Sequence, residues 1–202
     1  LFTTKLLEMR INMTKIIIAS NNNGKIIEVK QMLKDKDIEL LSMKEAGVNI
    51  DIDENGTTFE ENALIKAGEI TIADDSGLEV DYLDKQPGIY SARFMGHDTS
   101  YDIKNKAIID KLDGVEGDKR SARFVCAMAA VFPDGIELVE RGTMEGRIAY
   151  EIKGDNGFGY DPIMYIPEYD KTSAQLSPDE KNNISHRGKA LKKLCDNLKK
   201  YL

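Results

Sequence analysis

Long hydrophobic runs are missing from this sequence of 202 residues. No apolar stretch reaches the roughly 18 residues that a transmembrane helix requires, so the sequence predicts no membrane span. Residues 1–12 are mixed in charge and lack a small-residue cleavage site, unlike a secretory signal. We therefore expect residues 1–12 to be an extension of uncertain status and Met13 to be the natural start.

The sequence also has few cysteines and no net positive charge. Cys126 and Cys195 stand singly in apolar patterns, outside any metal-ligand spacing, and predict two reduced core thiols in a cytoplasmic protein. The formal net charge of −7 argues against nucleic acid as a partner, because a polyanion requires a basic surface. A small anionic ligand remains compatible, since a few local cations suffice to bind it.

Strand and helix patterns alternate along a chain long enough for one domain or one domain with two lobes. A buried strand is predicted at Lys15–Ser20, and two further strands joined by a turn are predicted at Ser121–Phe132 and Ile136–Met144. Helices are predicted at Lys25–Lys34, Thr57–Ile70, Tyr101–Leu112 and Asp179–Leu198. The fold class predicted is α/β, with a mixed central β-sheet flanked by helices.

Ser20–Lys25 reads SNNNGK and lies between the first predicted strand and the first predicted helix. Backbone N–H groups and the helix dipole attract anions at such a turn, and Lys25 adds positive charge. The turn is not a Walker A loop, because the G-x-x-x-x-G-K-[ST] spacing is absent. Two interpretations remain, a phosphate-binding turn and a plain strand–helix turn capped by asparagine.

Ile72–Asp81 reads IADDSGLEVD, in which Asp74 and Asp75 interrupt a strand-like alternation. The ordinary interpretation is a solvated turn between two short strands. With Glu60 and Glu61 of the second predicted helix, these carboxylates could instead hold Mg²⁺, although Glu61 also fits a capping box. Adjacent residues of a strand point to opposite faces, so the two aspartates should differ in role unless the backbone turns between them.

Gly154–Pro162 reads GDNGFGYDP, with glycines around two aromatic residues. Phe158 or Tyr160 could stack on a flat ligand such as a nucleobase. The alternative is a glycine-rich loop whose aromatic side chains are tucked into the core.

Lys181–Ala190 reads KNNISHRGKA and brings Lys181, His186 and Arg187 close together. Such a cluster suits a nucleotide, with cations for phosphates and directed donors for base edges. The alternative is an ordinary basic helix start. The second histidine, His97, stands alone in a polar loop and is expected to be solvated.

Six segments together give the sequence a close resemblance to the inosine triphosphate pyrophosphatase (HAM1/RdgB-like) family. They are SNNNGK (20–25), TFEENALIKA (58–67), ADDSGLEVD (73–81), PGIYSARF (87–94), GFGYDP (157–162) and KNNISHRGKAL (181–191). The six occur in this order and span nearly the whole chain from Met13. The resemblance implies one two-lobed domain at residues 13–202, with a nucleotide site in the cleft between the lobes, and a homodimer.

The resemblance also implies an activity, the Mg²⁺-dependent hydrolysis of ITP, dITP and XTP to the monophosphate and pyrophosphate, which cleanses the nucleotide pool. By motif, Asp75 matches the general base, and Glu61 and Asp75 match the metal ligands. The phosphate-side contacts are matched by Ser20, Asn21, Asn22, Asn23, Gly24, Lys25 and Ser76. The substrate and base contacts are matched by Phe158, Gly159, Tyr160, Asp161, Lys181, His186 and Arg187.

Base selection is expected to depend on the 6-position of the purine. Hypoxanthine and xanthine carry a keto oxygen there, which accepts hydrogen bonds from donors such as Arg187 or His186. Adenine carries an amino group, which would leave those donors unpaired. Two alternatives remain, a nucleotide-binding protein without turnover and a pyrophosphatase for other modified nucleotides.

Overall fold

One mixed β-sheet organises the part of the chain that the structure, a computed structural model, describes, namely residues 14–20, 22–34, 38–47 and 70–201. Its strands are β1 (Thr14–Ile18), β2 (Ile38–Ser42), β3 (Ile70–Val80), β4 (Gln86–Pro87), β5 (Ser121–Val131), β6 (Glu137–Ile148), β7 (Met164–Ile166) and β8 (Lys171–Thr172). Their order is β2-β1-β3-β5-β6-β7-β8, with β4 beside β3. The mixed α/β prediction is confirmed.

Helices flank this sheet. In the described ranges they are α1 (Asn23–Leu33), α2 (Tyr101–Lys111), α3 (Pro178–Ile184) and α4 (His186–Leu198). Short 3-10 helices lie at Asp81–Leu83, Gly88–Tyr90, Gly117–Arg120, Asp161–Ile163, Pro167–Tyr169 and Ser173–Gln175. Within the same ranges, no helix combines the length and apolar character needed to cross a bilayer.

The strand β3 extends well beyond its parallel neighbour β1. Pairing with β1 covers Ile70–Ile72 only, whereas antiparallel pairing with β5 runs from Thr71 to Val80. The short β4 pairs with Glu79 and Val80. Among the described strands, residues 73–78 of β3 therefore have a strand partner on one side only. Ligand sites in open α/β sheets lie beyond the carboxyl ends of the strands, and β1 ends beside this stretch of β3.

Two clusters of buried apolar side chains share the long strands. The first lies against α1 and α4 and includes Ile72 of β3, and the second packs around α2 and includes Leu78. Each buried Ile or Leu contributes roughly 1.5–3 kcal/mol by leaving water. The residues between Ile72 and Leu78 therefore lie at the boundary of the two clusters. The organisation of residues 13–202 as one two-lobed domain stays a prediction.

The ordinary interpretation of the two aspartates, a solvated turn between two short strands, is wrong. Asp74 and Asp75 lie inside the continuous strand β3, paired with Met128 and Ala127 of β5. The ladder to β5 keeps the backbone extended through both charged residues. Ile70 also belongs to this strand and not to the second predicted helix, whose remaining residues 57–69 lie outside the described ranges.

The predicted helix Asp179–Leu198 is in fact two helices that meet at Ser185. Ser185 has φ −64° and ψ 150°, which is extended backbone, and its Oγ accepts a hydrogen bond from the Gly188 N–H at 2.9 Å. Ser185 therefore ends α3 and caps α4. His186 and Arg187 become the first two residues of α4. Other predictions agree with the structure, including the β5–β6 hairpin and two buried free thiols, Cys126 and Cys195.

Candidate active site

A pocket of about 630 Å³ lies at the open edge of β3. Its volume is in the range typical of small-molecule sites. The predicted site residues that line it are Ser20, Asn22, Lys25, Asp75, Ser76, Phe158, Gly159, Tyr160, Asp161, Lys181, His186 and Arg187. Asn23 and Gly24 do not line it, and Asn21 and Glu61 lie outside the described residues.

Asn22 caps α1 and occupies backbone N–H groups at the start of this helix. The sequence suggested that such groups would bind an anionic ligand. Oδ1 of Asn22 accepts from the N–H groups of Gly24 at 2.9 Å and Lys25 at 3.3 Å. The interpretation as an asparagine-capped turn is therefore confirmed for these two groups. Lys25 still lines the pocket, so the positive charge that this turn supplies comes from its side chain.

Asp74 is buried between two cations. Its Oδ2 lies 3.3 Å from Nζ of Lys25, 3.2 Å from Nε of Arg187 and 3.1 Å from Nη2 of Arg187. Burial alone would raise the pKa of this carboxyl, but the charges of Lys25 and Arg187 outweigh that effect and hold the pKa below its ordinary value. The protein itself therefore supplies the positive charge that offsets Asp74.

Asp75 lies on the other face of β3. Its register partner Ala127 packs against Ile89, whereas Met128, the partner of Asp74, belongs to the cluster beneath α4. The expected alternation of the two aspartates is confirmed, because the strand does not turn. Both line one pocket because that pocket opens at the strand edge.

A chain of alternating charges continues from Arg187. Glu28 of α1 pairs with both Arg187 and Lys181, the Lys181 contact being 2.8 Å, and Lys181 reaches Asp161 at 2.7 Å. Sequence reasoning missed Glu28. The available signal was its position three residues after Lys25, which places both on neighbouring turns of one helix face.

Phe158 forms an aromatic wall of the pocket beneath two cations. Nζ of Lys181 lies 5.2 Å from its ring centroid and Cζ of Arg187 lies 5.7 Å away, within cation–π range. A Cβ on Gly24 would lie 2.8 Å from Cδ1 of Phe158, so glycine lets α1 approach this ring. Tyr160 differs, because it is buried and its hydroxyl donates to the Ser91 carbonyl at 2.9 Å. The core interpretation is therefore correct for Tyr160.

His186 is buried at the pocket with its ring 5.0 Å from that of Phe124. Burial, reinforced by the charges of Arg187 and Lys181, lowers the pKa of its imidazole well below the ordinary value. The ring is therefore neutral at pH 7, and its Nδ1 has no hydrogen-bond partner among the described residues. His97 is exposed, as expected, yet it also lies along the pocket wall.

Ser91, which sequence reasoning missed, fixes a second wall. Its Oγ accepts from the Leu78 N–H at 2.9 Å and donates to the Gly88 carbonyl at 2.6 Å. The hydroxyl thus satisfies a buried donor on the open side of β3. It also holds the loop after β4 against the strand.

Two adjacent polar residues of α2 hold the loops that border the pocket. Nζ of Lys104 donates to the Ala92 carbonyl at 2.7 Å, and Nδ2 of Asn105 donates to the Gly159 carbonyl at 3.1 Å. Both side chains are buried. Sequence patterns predict such residues on a solvated helix face, so nothing in the helix itself signalled these contacts.

The residues present are compatible with a divalent ion shared with a substrate. Among the described residues, no group of three His, Cys, Asp or Glu side chains converges as an ion-binding cluster. Mg²⁺ in phosphate-transfer sites needs only one or two carboxylates, because substrate phosphates and water complete its shell. Asp75 lines the pocket and can provide one such ligand, whereas Asp74 is engaged by Lys25 and Arg187.

Comparison with known proteins adds relatives that cover the whole described site. The model of the Ham1 family matches residues 16–197. A dITP/XTP pyrophosphatase of Clostridium perfringens (strain 13 / Type A) is 48% identical over 200 residues, covering 93% of this chain and 98% of that protein. The solved Ham1 protein of Staphylococcus aureus has a TM-score of 0.82 and 42% identity, covering 94% of this chain and 100% of that one. A Coxiella burnetii HAM1 protein gives 0.82 and 40%, with coverages of 93% and 100%.

Proposed function

The chain belongs to the Ham1 family, and from this premise we propose that it hydrolyses non-standard purine nucleoside triphosphates, namely dITP, ITP and XTP, to the monophosphate and pyrophosphate. Such an enzyme removes deaminated purines from the nucleotide pool. The observation that carries the proposal is that one pocket is lined by the carboxylate of Asp75 and by the cations Lys25, Lys181 and Arg187.

The triphosphate binds on the side of the pocket that Lys25 and Ser76 line. A water molecule attacks the α-phosphorus, its proton passes to Asp75, and the bond from the α-phosphorus to the bridging oxygen breaks to release pyrophosphate. Asp75 and Glu61 are the residues that would hold Mg²⁺, which supplies charge neutralisation on the phosphates when bound. Glu61 lies outside the described residues, and its role as a ligand is taken from the family resemblance.

The purine binds near Phe158 and is selected through its 6-keto oxygen. His186 supports this assignment, because a neutral imidazole keeps one N–H donor and its ring packs against that of Phe124. Arg187 already donates hydrogen bonds to Asp74 and Ser76 and pairs with Glu28. It therefore contributes mainly a fixed positive charge beside the ring of Phe158. Discrimination against adenine follows because the 6-amino group of adenine cannot accept a hydrogen bond from the N–H of His186.

A product analysis tests this function. The protein is incubated with Mg²⁺ and, separately, dITP, ITP, XTP, dGTP and dATP, and products are separated by ion-exchange chromatography. We expect monophosphate and pyrophosphate from the first three and little turnover of dATP. Diphosphate and orthophosphate would contradict the assigned bond, and binding of ITP without turnover would favour a nucleotide-binding protein. A matched incubation with EDTA tests the metal requirement.

The homodimer and the cytoplasmic location stay predictions. Sedimentation equilibrium of the full chain, with and without dITP, tests the first. Fractionation of cells that produce the protein tests the second.

A further inference from the structure

Asp74 and Asp75 are neighbours in sequence but face different surroundings. Asp75 shares its face of the sheet with Ala127 and Ile89, away from α4. Asp74 points to the side of α1 and α4, where Lys25 and Arg187 contact it. The two carboxylates therefore cannot act as an interchangeable pair.

The contacts of Asp74 converge on a single oxygen. Nζ of Lys25 and the Nε and Nη2 atoms of Arg187 all lie within 3.3 Å of its Oδ2. The side chain of Asp74 is 1% exposed, and that of Arg187 is 2% exposed. Two cations at this distance in a buried site would repel a divalent metal ion that approached the same carboxylate.

The two cations come from opposite ends of the chain. Lys25 lies in the first turn of α1 and Arg187 in the first turn of α4, and each also lines the pocket. Both side chains are long and lose much rotamer freedom when a single conformation is fixed. A shared anionic contact fixes both at once and sets the spacing between them.

We propose that Asp74 is a positioning residue that fixes Lys25, on the phosphate side, relative to Arg187, on the base side, and is neither the general base nor a metal ligand. The inference rests on the proposed function, because it takes these two cations as the substrate contacts. Asp74 thereby keeps the spacing of Lys25 and Arg187 equal to the spacing of the triphosphate and the purine within the substrate. Binding and base discrimination depend on it, and the chemical step depends on Asp75.

The test compares Asp74→Asn with Asp75→Asn by steady-state kinetics on dITP and dATP over a series of Mg²⁺ concentrations. For Asp74→Asn we expect the KM for dITP to rise about tenfold, the preference for dITP over dATP to fall, and kcat to stay within about threefold. The Mg²⁺ concentration for half-maximal rate should not change. Asp75→Asn should instead lose kcat.

Two outcomes would overturn the proposal. One is a loss of kcat in Asp74→Asn comparable to that in Asp75→Asn, or a shifted Mg²⁺ response, which would make Asp74 a base or ligand. The other is kinetics identical to the wild type. A coupling test adds Lys25→Gln, since the effects of Asp74→Asn and Lys25→Gln should be non-additive if they act as a unit.

A separate readout covers misfolding and lack of turnover. Thermal unfolding establishes whether Asp74→Asn is folded; if it is not, Asp74→Glu keeps the charge and moves it by one methylene, and the same rise in KM is expected. An unchanged KM in Asp74→Glu would then overturn the proposal. If the wild type does not hydrolyse dITP, the proposed function fails, and calorimetric affinities of dITP for the wild type and the variant still test the positioning.

Discussion

The guanidinium of Arg187 and the carboxylate of Asp74 lie in direct contact although 113 positions separate them, with Nη2 3.1 Å from Oδ2. The contact joins the first turn of α4 to the middle of β3. Because Glu28 pairs with the same guanidinium, three distant elements meet at one buried cation. Local stability and site geometry are therefore coupled at Arg187.

Truncating Arg187 should destabilise the fold. Arg187→Ala removes one of the two cations that contact the buried Asp74 and one of the two that contact the half-buried Glu28. Breaking a buried ion pair typically costs about 3–5 kcal/mol. A large effect on stability is expected because Arg187 is buried. Urea unfolding measures the change. Arg147→Ala is the matched control, because its partner Asp118 is exposed, and it should cost less than about 1 kcal/mol. Equal losses in both variants would contradict the prediction.

Replacing Asp75 should remove catalysis and preserve the fold. We expect Asp75→Asn to lower kcat about 10²–10⁴-fold, the range for loss of a general acid or base. The amide has the same shape, so the midpoint of thermal unfolding should change little. Asp113→Asn, at an exposed position, is the control for charge removal. Wild-type turnover in Asp75→Asn would take Asp75 out of the mechanism.

The neutral state of His186 should make stability depend on pH. Its pKa is lowered in the folded protein, whereas the unfolded chain binds a proton near pH 6.5. As pH falls below 6.5 the unfolded state gains the proton first, so the free energy of unfolding should fall by up to about 1.4 kcal/mol per pH unit.

Chemical denaturation at pH 7.5, 6.5 and 5.5 measures this slope. His186→Gln should flatten it, whatever its effect on absolute stability. His97→Gln serves as the matched control because His97 is exposed, and it should keep the wild-type slope. A slope that survives His186→Gln would assign the titration to another group.

Removing the hydroxyl of Ser91 should weaken the loop against β3. Ser91→Ala leaves the buried Leu78 N–H without its acceptor, at a cost of about 1–3 kcal/mol. Hydrogen exchange at the Leu78 amide should accelerate in the variant. Ser100→Ala should be near neutral, because that serine is exposed and its side chain makes no cap hydrogen bond to α2. Unaltered exchange at Leu78 would show that another group accepts its proton.

Local patterns predicted much of the fold. The strand at Lys15–Ser20 and the hairpin after Ser121 were identified from sequence. An apolar run and a turn both depend on residues that are adjacent in the chain. The site segments were found because they recur as motifs in a known family. Twelve of the predicted site residues line the pocket, which brings together segments from both ends of the chain.

Features that depend on distant partners escaped prediction. The strand β3 runs through two charged residues because β5 pairs with it, and no pattern within Ile72–Asp81 contains that information. Likewise, Glu28 and Lys104 look like solvated helix residues until the groups they contact are known. Tertiary contacts overrode local propensity at each of these positions.

The order in which a ribosome makes the chain gives the late position of α4 a further significance. Asp74 is synthesised more than a hundred residues before Arg187, and α4 also supplies Leu191 and Leu194 to the first cluster. Before Arg187 is synthesised, burial of Asp74 in the nascent sheet would leave its carboxylate with one cation, Lys25. Burying a charge that is incompletely paired is costly. The first cluster can therefore pack stably only after α4 has been synthesised. A chain truncated before α4 should be degraded more rapidly by proteases than the chain that includes it.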